Sequence, residues 1–165
     1  CAAGADGDSA DGDSPEALQI QTVSVLMMLA ARGERQTQAV VDGGGVALSV
    51  RVAPRSHDDA LVSLTALANW ASFSAPLAAA VLAGGGLACA VRCMREYGAI
   101  DVLNNACRLI ANLLFRLHGD ALWAEGHQGR VASPAARKAY PSLARALLAE
   151  GAVDALIEAI TRCQG

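Results

Sequence analysis

The sequence predicts an all-α fold in which similar helical units stack into a solenoid. A short apolar helix, a glycine and a second apolar helix start recur at residues 38–50 (QAVVDGGGVALSV), 79–91 (AAVLAGGGLACAV) and 145–157 (RALLAEGAVDALI). The spacing supports a repeat, because Gly43 and Gly84 are 41 residues apart and Asn69 and Asn112 are 43 apart. Internal repetition at a period of about 40 residues is typical of helical repeat proteins.

Composition supports a globular helical protein and excludes several function classes. The chain has 165 residues, of which 53% are hydrophobic, 18% charged and only 4% aromatic. Small aliphatic residues such as Ala and Leu form helices readily and allow them to pack closely. The net charge is −3 without a basic stripe, so we expect no nucleic-acid partner. No apolar run reaches about 18 residues, so we expect no membrane span and no membrane partner.

The first 14 residues, CAAGADGDSADGDS, are predicted to be a disordered acidic linker. A calcium loop starting at Asp6 fails, since Asp11 stands where the loop needs Gly and Ala17 where it needs Glu. The chain opens with Cys1 rather than Met, and we expect a fragment of a longer repeat protein. Five cysteines, an odd number, favour a reducing compartment, so we expect an intracellular, cytoplasmic protein, with a nuclear or cytoskeletal association also open.

Residues 15–165 are predicted to form the solenoid, in units of about 15–53, 56–97 and 98–163. Ser14-Pro15 and Ser56 are good helix starts, and the Ser56 helix should run to about Phe73. The long helix of the third unit, 99–115, should turn one face inward. Its predicted inward residues are Leu103, Cys107, Ile110, Ala111 and Leu114.

An inserted loop is predicted at about 116–140, where the apolar periodicity is lost. Helix should restart at Ser133-Pro134, and Tyr140-Pro141 should open a separate short helix. Trp123 in this loop is a candidate for contact with a partner, since exposed Trp side chains often anchor interfaces.

The three-helix unit resembles the armadillo repeat. The residues that carry the resemblance are the Gly turns at Val40–Ala47, Val81–Ala88 and Leu148–Ala155, and the tripeptides Leu67-Ala68-Asn69 and Ile110-Ala111-Asn112. The resemblance implies a right-handed α-solenoid of about three armadillo-like repeats, incomplete at both ends, whose long helices line a concave face. HEAT repeats are the near alternative, because they share the packing but lack the short first helix.

A row on the long helices is the predicted partner-binding surface. In armadillo proteins the repeated Asn lies on the concave face, and an amide suits a peptide group because it both donates and accepts. The predicted row comprises Val62, Thr65, Asn69, Asn105, Arg108 and Asn112, extended by Ile20, Val23 and Met27. Armadillo repeats that bind basic peptides carry Trp four residues before the Asn, whereas Thr65 and Arg108 stand there, so nuclear-import function is not expected.

The other chemistry-bearing residues favour no reaction. Cys89 and Cys93 share a helix face but lack two further metal ligands at suitable spacing, so we expect core cysteines and no metal. His118, Asp120, Glu125 and His127 fall in the loop, where nothing defines a catalytic geometry. We therefore expect a non-enzymatic module without cofactors.

The sequence thus favours a protein-interaction scaffold that binds another protein or an extended peptide. Each end of the solenoid should expose an apolar face, which further repeats, a partner or self-association would cover. The alternatives are a HEAT-like regulatory domain of a larger enzyme and a small-ligand-binding helical domain.

Overall fold

The computed structural model describes residues 14–119 and 134–162, and within those ranges all regular structure is helical. A 3₁₀ turn, Ala53–Arg55, follows the third helix, and a π-helical turn, Phe115–Gly119, follows the seventh. The helices in these ranges are α1 (Pro15–Ala30), α2 (Glu34–Asp42), α3 (Gly45–Val52), α4 (His57–Ala71), α5 (Ala75–Ala83), α6 (Gly86–Tyr97), α7 (Ile100–Leu114), α8 (Pro134–Ala149) and α9 (Ala152–Arg162).

Two long helices begin at the serines that the sequence singles out. The Ser14 hydroxyl accepts a hydrogen bond from the Ala17 amide at 3.0 Å, and the Ser56 hydroxyl accepts one from Asp59 at 3.1 Å. Each bond satisfies a backbone N–H that the helix itself leaves unpaired. The α4 helix ends at Ala71, two residues before the predicted Phe73.

The Gly turns have the same backbone in each unit. Gly44, Gly85 and Gly151 have φ values of +90°, +87° and +65°, a region that residues with a Cβ rarely adopt. The next glycine, Gly45 or Gly86, starts the following helix against the preceding one. A Cβ on Gly86 would lie 2.7 Å from Cγ1 of Val81, so the turn of the second unit needs glycine for space at this position, which Ala152 holds in the third unit.

The helices stack in three rows that follow the sequence period. The long helices α1, α4 and α7 form one row, the helices α2, α5 and α8 a second, and α3, α6 and α9 a third. Within each row, every helix contacts the next one along the row. The architecture is therefore repeat-like, because equivalent helices of successive units are neighbours in space.

One continuous core runs through these rows. On α4, one helix face is buried at Leu64, Leu67, Ala68 and Ala71, all with no exposed surface. Trp70 is fully buried too and reaches the preceding unit, since its Cη2 atom lies 3.2 Å from the position of a Cβ on Gly45.

Two expectations for the last unit are wrong, and a third is met only in part. Ala111 and Leu114 are exposed and Cys107 is half-buried, although Leu103 and Ile110 are buried as predicted. The α4 residues equivalent to these three, one period earlier, are buried. Full burial of these three positions requires a following long helix, and in the described part of the chain none packs beyond α7.

The prediction for the region after α7 is also partly wrong. Residues 115–119 form the π-helical turn, and α8 runs unbroken from Pro134 through Pro141, so Tyr140-Pro141 opens no separate helix. The predicted linker at 1–13 and the middle of the predicted insertion, including Trp123, lie outside the described residues.

Candidate interaction surface on the long helices

All six predicted site residues lie on the adjacent helices α4 and α7. Val62, Thr65 and Asn69 follow one another at about one turn along α4, and Asn105, Arg108 and Asn112 repeat that spacing 43 residues later on α7. Val62 is half-buried and packs against the core. The other five form a polar strip, which we call the polar ladder: Thr65, Asn69, Asn105, Arg108 and Asn112.

Hydrogen bonds across the helix pair join the polar ladder. Arg108 Nη2 donates to Asn69 Oδ1 at 3.0 Å, and Asn112 Nδ2 donates to the Ala68 carbonyl at 2.8 Å. The Thr65 hydroxyl lies 3.1 Å from Asn105 Oδ1 but only 2.7 Å from the Leu61 carbonyl. A hydroxyl has one proton to donate, so Arg108 and Asn112 make the principal bonds between units.

Unused hydrogen-bonding groups remain on the polar ladder. Asn69 and Asn112 are half-buried, and Arg108 is exposed. Within residues 14–119 and 134–162, neither Asn69 Nδ2 nor Asn112 Oδ1 has a hydrogen-bond partner. The strip therefore offers an amide donor, an amide acceptor and a guanidinium on neighbouring helices. Such a set can bind the donors and acceptors of an extended backbone and a carbonyl or carboxylate.

A small apolar pocket beside Asn69 was missed by sequence reasoning. It has a volume of about 220 Å³ and lies between α1 and α4. Its lining includes Met27, Ala30, Asn69, Trp70 and Phe73. No sequence signal could have found it, because the pocket depends on how closely the ends of the two helices approach.

His57 makes a second link between α4 and α7, also missed from the sequence. Its Nδ1 lies 3.0 Å from Asp58 and its Nε2 lies 3.0 Å from Asp101 on α7. The Tyr97 ring meets the imidazole edge-on, with ring centroids 6.4 Å apart. The hydrogen bonds to Asp58 and Asp101 raise the pKa of His57 and, reciprocally, the bond from His57 lowers the pKa of Asp101.

The cysteine pair of α6 is in the core. Cys89 and Cys93 are both buried, and the hydrogen bond to Cys93, together with burial, raises the pKa of the Cys89 thiol. A high thiol pKa disfavours the thiolate at Cys89 that metal binding and nucleophilic attack require, whereas the same hydrogen bond lowers the pKa of Cys93. Among the residues with described positions, no three His, Cys, Asp or Glu side chains cluster closely enough to hold a metal ion.

None of the described helices is, by itself, long and apolar enough to cross a membrane. The pair α5 and α6 reaches the length and composition only when joined, and it bends by 62° at its glycine turn. Most of the pair's apolar side chains are buried within the helical rows.

Comparisons with protein-family models, with curated proteins and with solved structures found no match for the chain. The class of protein therefore follows from its own geometry. The chain is an all-α protein of repeat-like architecture, with a polar strip along its row of long helices.

Proposed function

We propose that the chain is a protein-interaction module of armadillo type that binds an extended peptide segment along the polar ladder. The observation that carries the proposal is the unused donor and acceptor on Asn69 and Asn112, held one repeat apart with Arg108 between them. Extended peptides present backbone groups at regular intervals, so a surface with a matching periodicity can bind several of them.

The shape of the unit supports the armadillo type over a HEAT type. Helices α2 and α5 are each nine residues long and are separated from the next helix by a sharp Gly turn. A short helix of this kind is the first helix of an armadillo repeat, and HEAT repeats lack it. The module acts as a scaffold or adaptor in this proposal and catalyses no reaction.

The partner segment combines an acidic or carbonyl group with an apolar side chain. Arg108 is the one cation of the polar ladder, and carboxylates form strong charge-assisted bonds to arginine. The apolar pocket next to Asn69 has room for a single side chain of the segment. Armadillo surfaces that take basic peptides use Trp wells, whereas here Trp70 is buried in the core.

The test uses a random-peptide phage library selected on the wild-type chain. Selected peptides should bind Arg108→Glu at least about 30-fold more weakly, which corresponds to the roughly 2 kcal/mol typical of an interface anchor. The control is Arg51→Glu, which makes the same charge change at an exposed position of α3. Selected peptides that bind both variants as tightly as the wild type would disprove the proposed site.

Stability must be measured on the same variants. Arg108 is exposed and bonds α4 through a single bond of good length, so its replacement should cost only about 0.5–1 kcal/mol. If the Arg108→Glu variant unfolds instead, the polar ladder is a structural strut between units, and the binding proposal fails.

A further inference from the structure

Both ends of the helical rows expose apolar side chains. On α1, Leu18 is 63% exposed, Val25 50% and Met28 62%. We call these three residues the leading face. At the other end, Val153, Ile157 and Ile160 of α9 are 50%, 58% and 61% exposed. We call these three the trailing face. Apolar side chains exposed in such contiguous groups usually mark an interface.

The leading face occupies positions that the next two long helices bury. An offset of 42 residues relates α1 to α4, and a further 43 relates α4 to α7, as Met27, Asn69 and Asn112 show. The equivalents of the leading face are at most 4% exposed. They are Ala60 and Leu103 for Leu18, Leu67 and Ile110 for Val25, and Trp70 and Leu113 for Met28.

Among the buried equivalents, Trp70 faces the preceding unit. Trp70, which corresponds to Met28, packs against Gly45 of the unit before it. Helix α4 as a whole lies against α1 and α3, and α7 lies against α4 and α6. The long helices α4 and α7 are therefore covered on their leading side by one long helix and one third-row helix of the previous unit, and none of the described helices gives α1 that cover.

The trailing face shows the same pattern in reverse. Equivalent residues of α3, α6 and α9 are found by aligning the turn glycines Gly44, Gly85 and Gly151. Val153 then corresponds to Val46, which is 5% exposed because the next unit covers it at Gly84. Of the equivalents of the trailing face, Val50 is half-buried and the others are buried. They are Val46 and Leu87 for Val153, Val50 and Val91 for Ile157, and Ala53 and Met94 for Ile160.

An open groove lies beside the trailing face, where a fourth long helix would pack. It has a volume of about 780 Å³ and runs between α7 and α9. Its apolar lining includes Ile100, Leu103, Cys107, Leu156 and Ile160, and Ile100 is 72% exposed. In the earlier units, a long helix packs against the long helix and the third-row helix of the unit before it. Helices α7 and α9 line the groove in the same way.

We propose that a second copy of the chain inserts its α1 into this groove, so that copies associate head to tail. The interface continues the contact that already joins the units within one chain. Helix α1 matches the other long helices in length, with 16 residues against 15 in α4 and α7. Glu16 is its one charged residue, so its insertion strands no charge in its middle.

The side chains of α1 are those of a helix covered on both sides. Val23 is fully buried against the chain's own core, while Val25 and Met28 face away from it. A helix that is apolar around most of its circumference belongs in an interior. Gln21, which is exposed and stands where Ser63 and Ala106 are buried, makes the face partly polar, as is usual in non-obligate interfaces.

Head-to-tail contacts use two different surfaces, so they leave one unused face at each end and allow further growth. The contact is separate from the polar ladder, and either proposal can fail alone. Met28→Glu places a negative charge on the leading face, and Ile160→Glu places one on the trailing face, so that each variant should lose the use of one face. Both residues are more than half exposed, so neither change should unfold the chain.

The experiment is sedimentation velocity on the full chain over a concentration series up to about 200 μM, a range suited to weak interfaces. The wild type should show a mass that rises with concentration, and each variant alone should stay monomeric, with association weakened at least 30-fold. A 1:1 mixture of the two variants should form dimers and nothing larger, because one intact leading face and one intact trailing face remain.

The control is Arg51→Glu, which should associate like the wild type. Its equivalent in the middle unit, Arg92, stays exposed although neighbouring units flank it. A monomeric wild type across the series would overturn the proposal. So would a variant that still dimerises alone, which indicates like-to-like pairing, or a mixture of the two variants that stays monomeric.

Discussion

The contact between the first two units should be sensitive to one methyl group at Gly84. This glycine has an ordinary φ of −78°, so alanine suits its backbone. A Cβ there would lie 2.5 Å from Cγ1 of Val46, which belongs to the preceding unit. Gly43 holds the same turn position one unit earlier, and a Cβ there meets only carbonyl oxygens of its own helix, the nearer at 3.1 Å.

The magnitude follows from this difference. Forcing an extra methyl into a packed contact typically costs about 1–3 kcal/mol. Gly84→Ala should therefore lower the free energy of unfolding by that amount, whereas Gly43→Ala should stay within about 0.5 kcal/mol of the wild type. At this chain length, each kcal/mol shifts Tm by roughly 2–4 °C. The two alanine variants should thus differ in Tm by at least about 1 °C.

Val46→Ala supplies the decisive step, because it removes the atom that Gly84→Ala would strike. Alone, it should cost about 1.6 kcal/mol, from two buried carbons at about 0.8 each. Combined with Gly84→Ala, the total cost should fall short of the sum by about 1 kcal/mol, since the added methyl then has space. Urea unfolding of all four variants measures this coupling. Strictly additive costs would refute the stacking of units at this point.

Two further predictions concern the links between α4 and α7. The pKa of His57 is raised above its ordinary 6.5, so its pairing with Asp58 and Asp101 stabilises the fold fully below that pH and weakens as the pH rises through the folded pKa. The Tm of the wild type should therefore fall more between about pH 6 and pH 8 than that of His57→Gln, and parallel curves would contradict the assignment. Asn112→Ala should lower the free energy of unfolding by about 1 kcal/mol, because it removes the 2.8 Å bond to the Ala68 carbonyl. Asn112→Asp should cost more, since its carboxylate places a negative charge beside that carbonyl, and equal unfolding midpoints for the two variants would argue against the bond.

Local features of the chain were predictable because local chemistry determines them. Ser14 and Ser56 start helices through bonds to amides three residues on, so the signal lies within four residues of sequence. Gly44 and Gly85 must be glycine for their positive φ, a property of one residue at a time. The period of about 42 residues then predicted that equivalent helices would be neighbours.

Other features depend on what covers each helix, and only the tertiary structure decided them. Leu114 is apolar and in the predicted inward register, yet it is exposed because no described helix packs beyond α7. Asn69 and Asn112 were predicted on one surface, but their bonds to Arg108 and the Ala68 carbonyl depend on the separation of two helices 43 residues apart in sequence. The same separation brings His57 to Asp101. A residue's type and its place along a helix determine the chemistry of its side chain and its angle around the helix axis. Its burial and its partners depend on the distance between helices, which long-range packing alone determines.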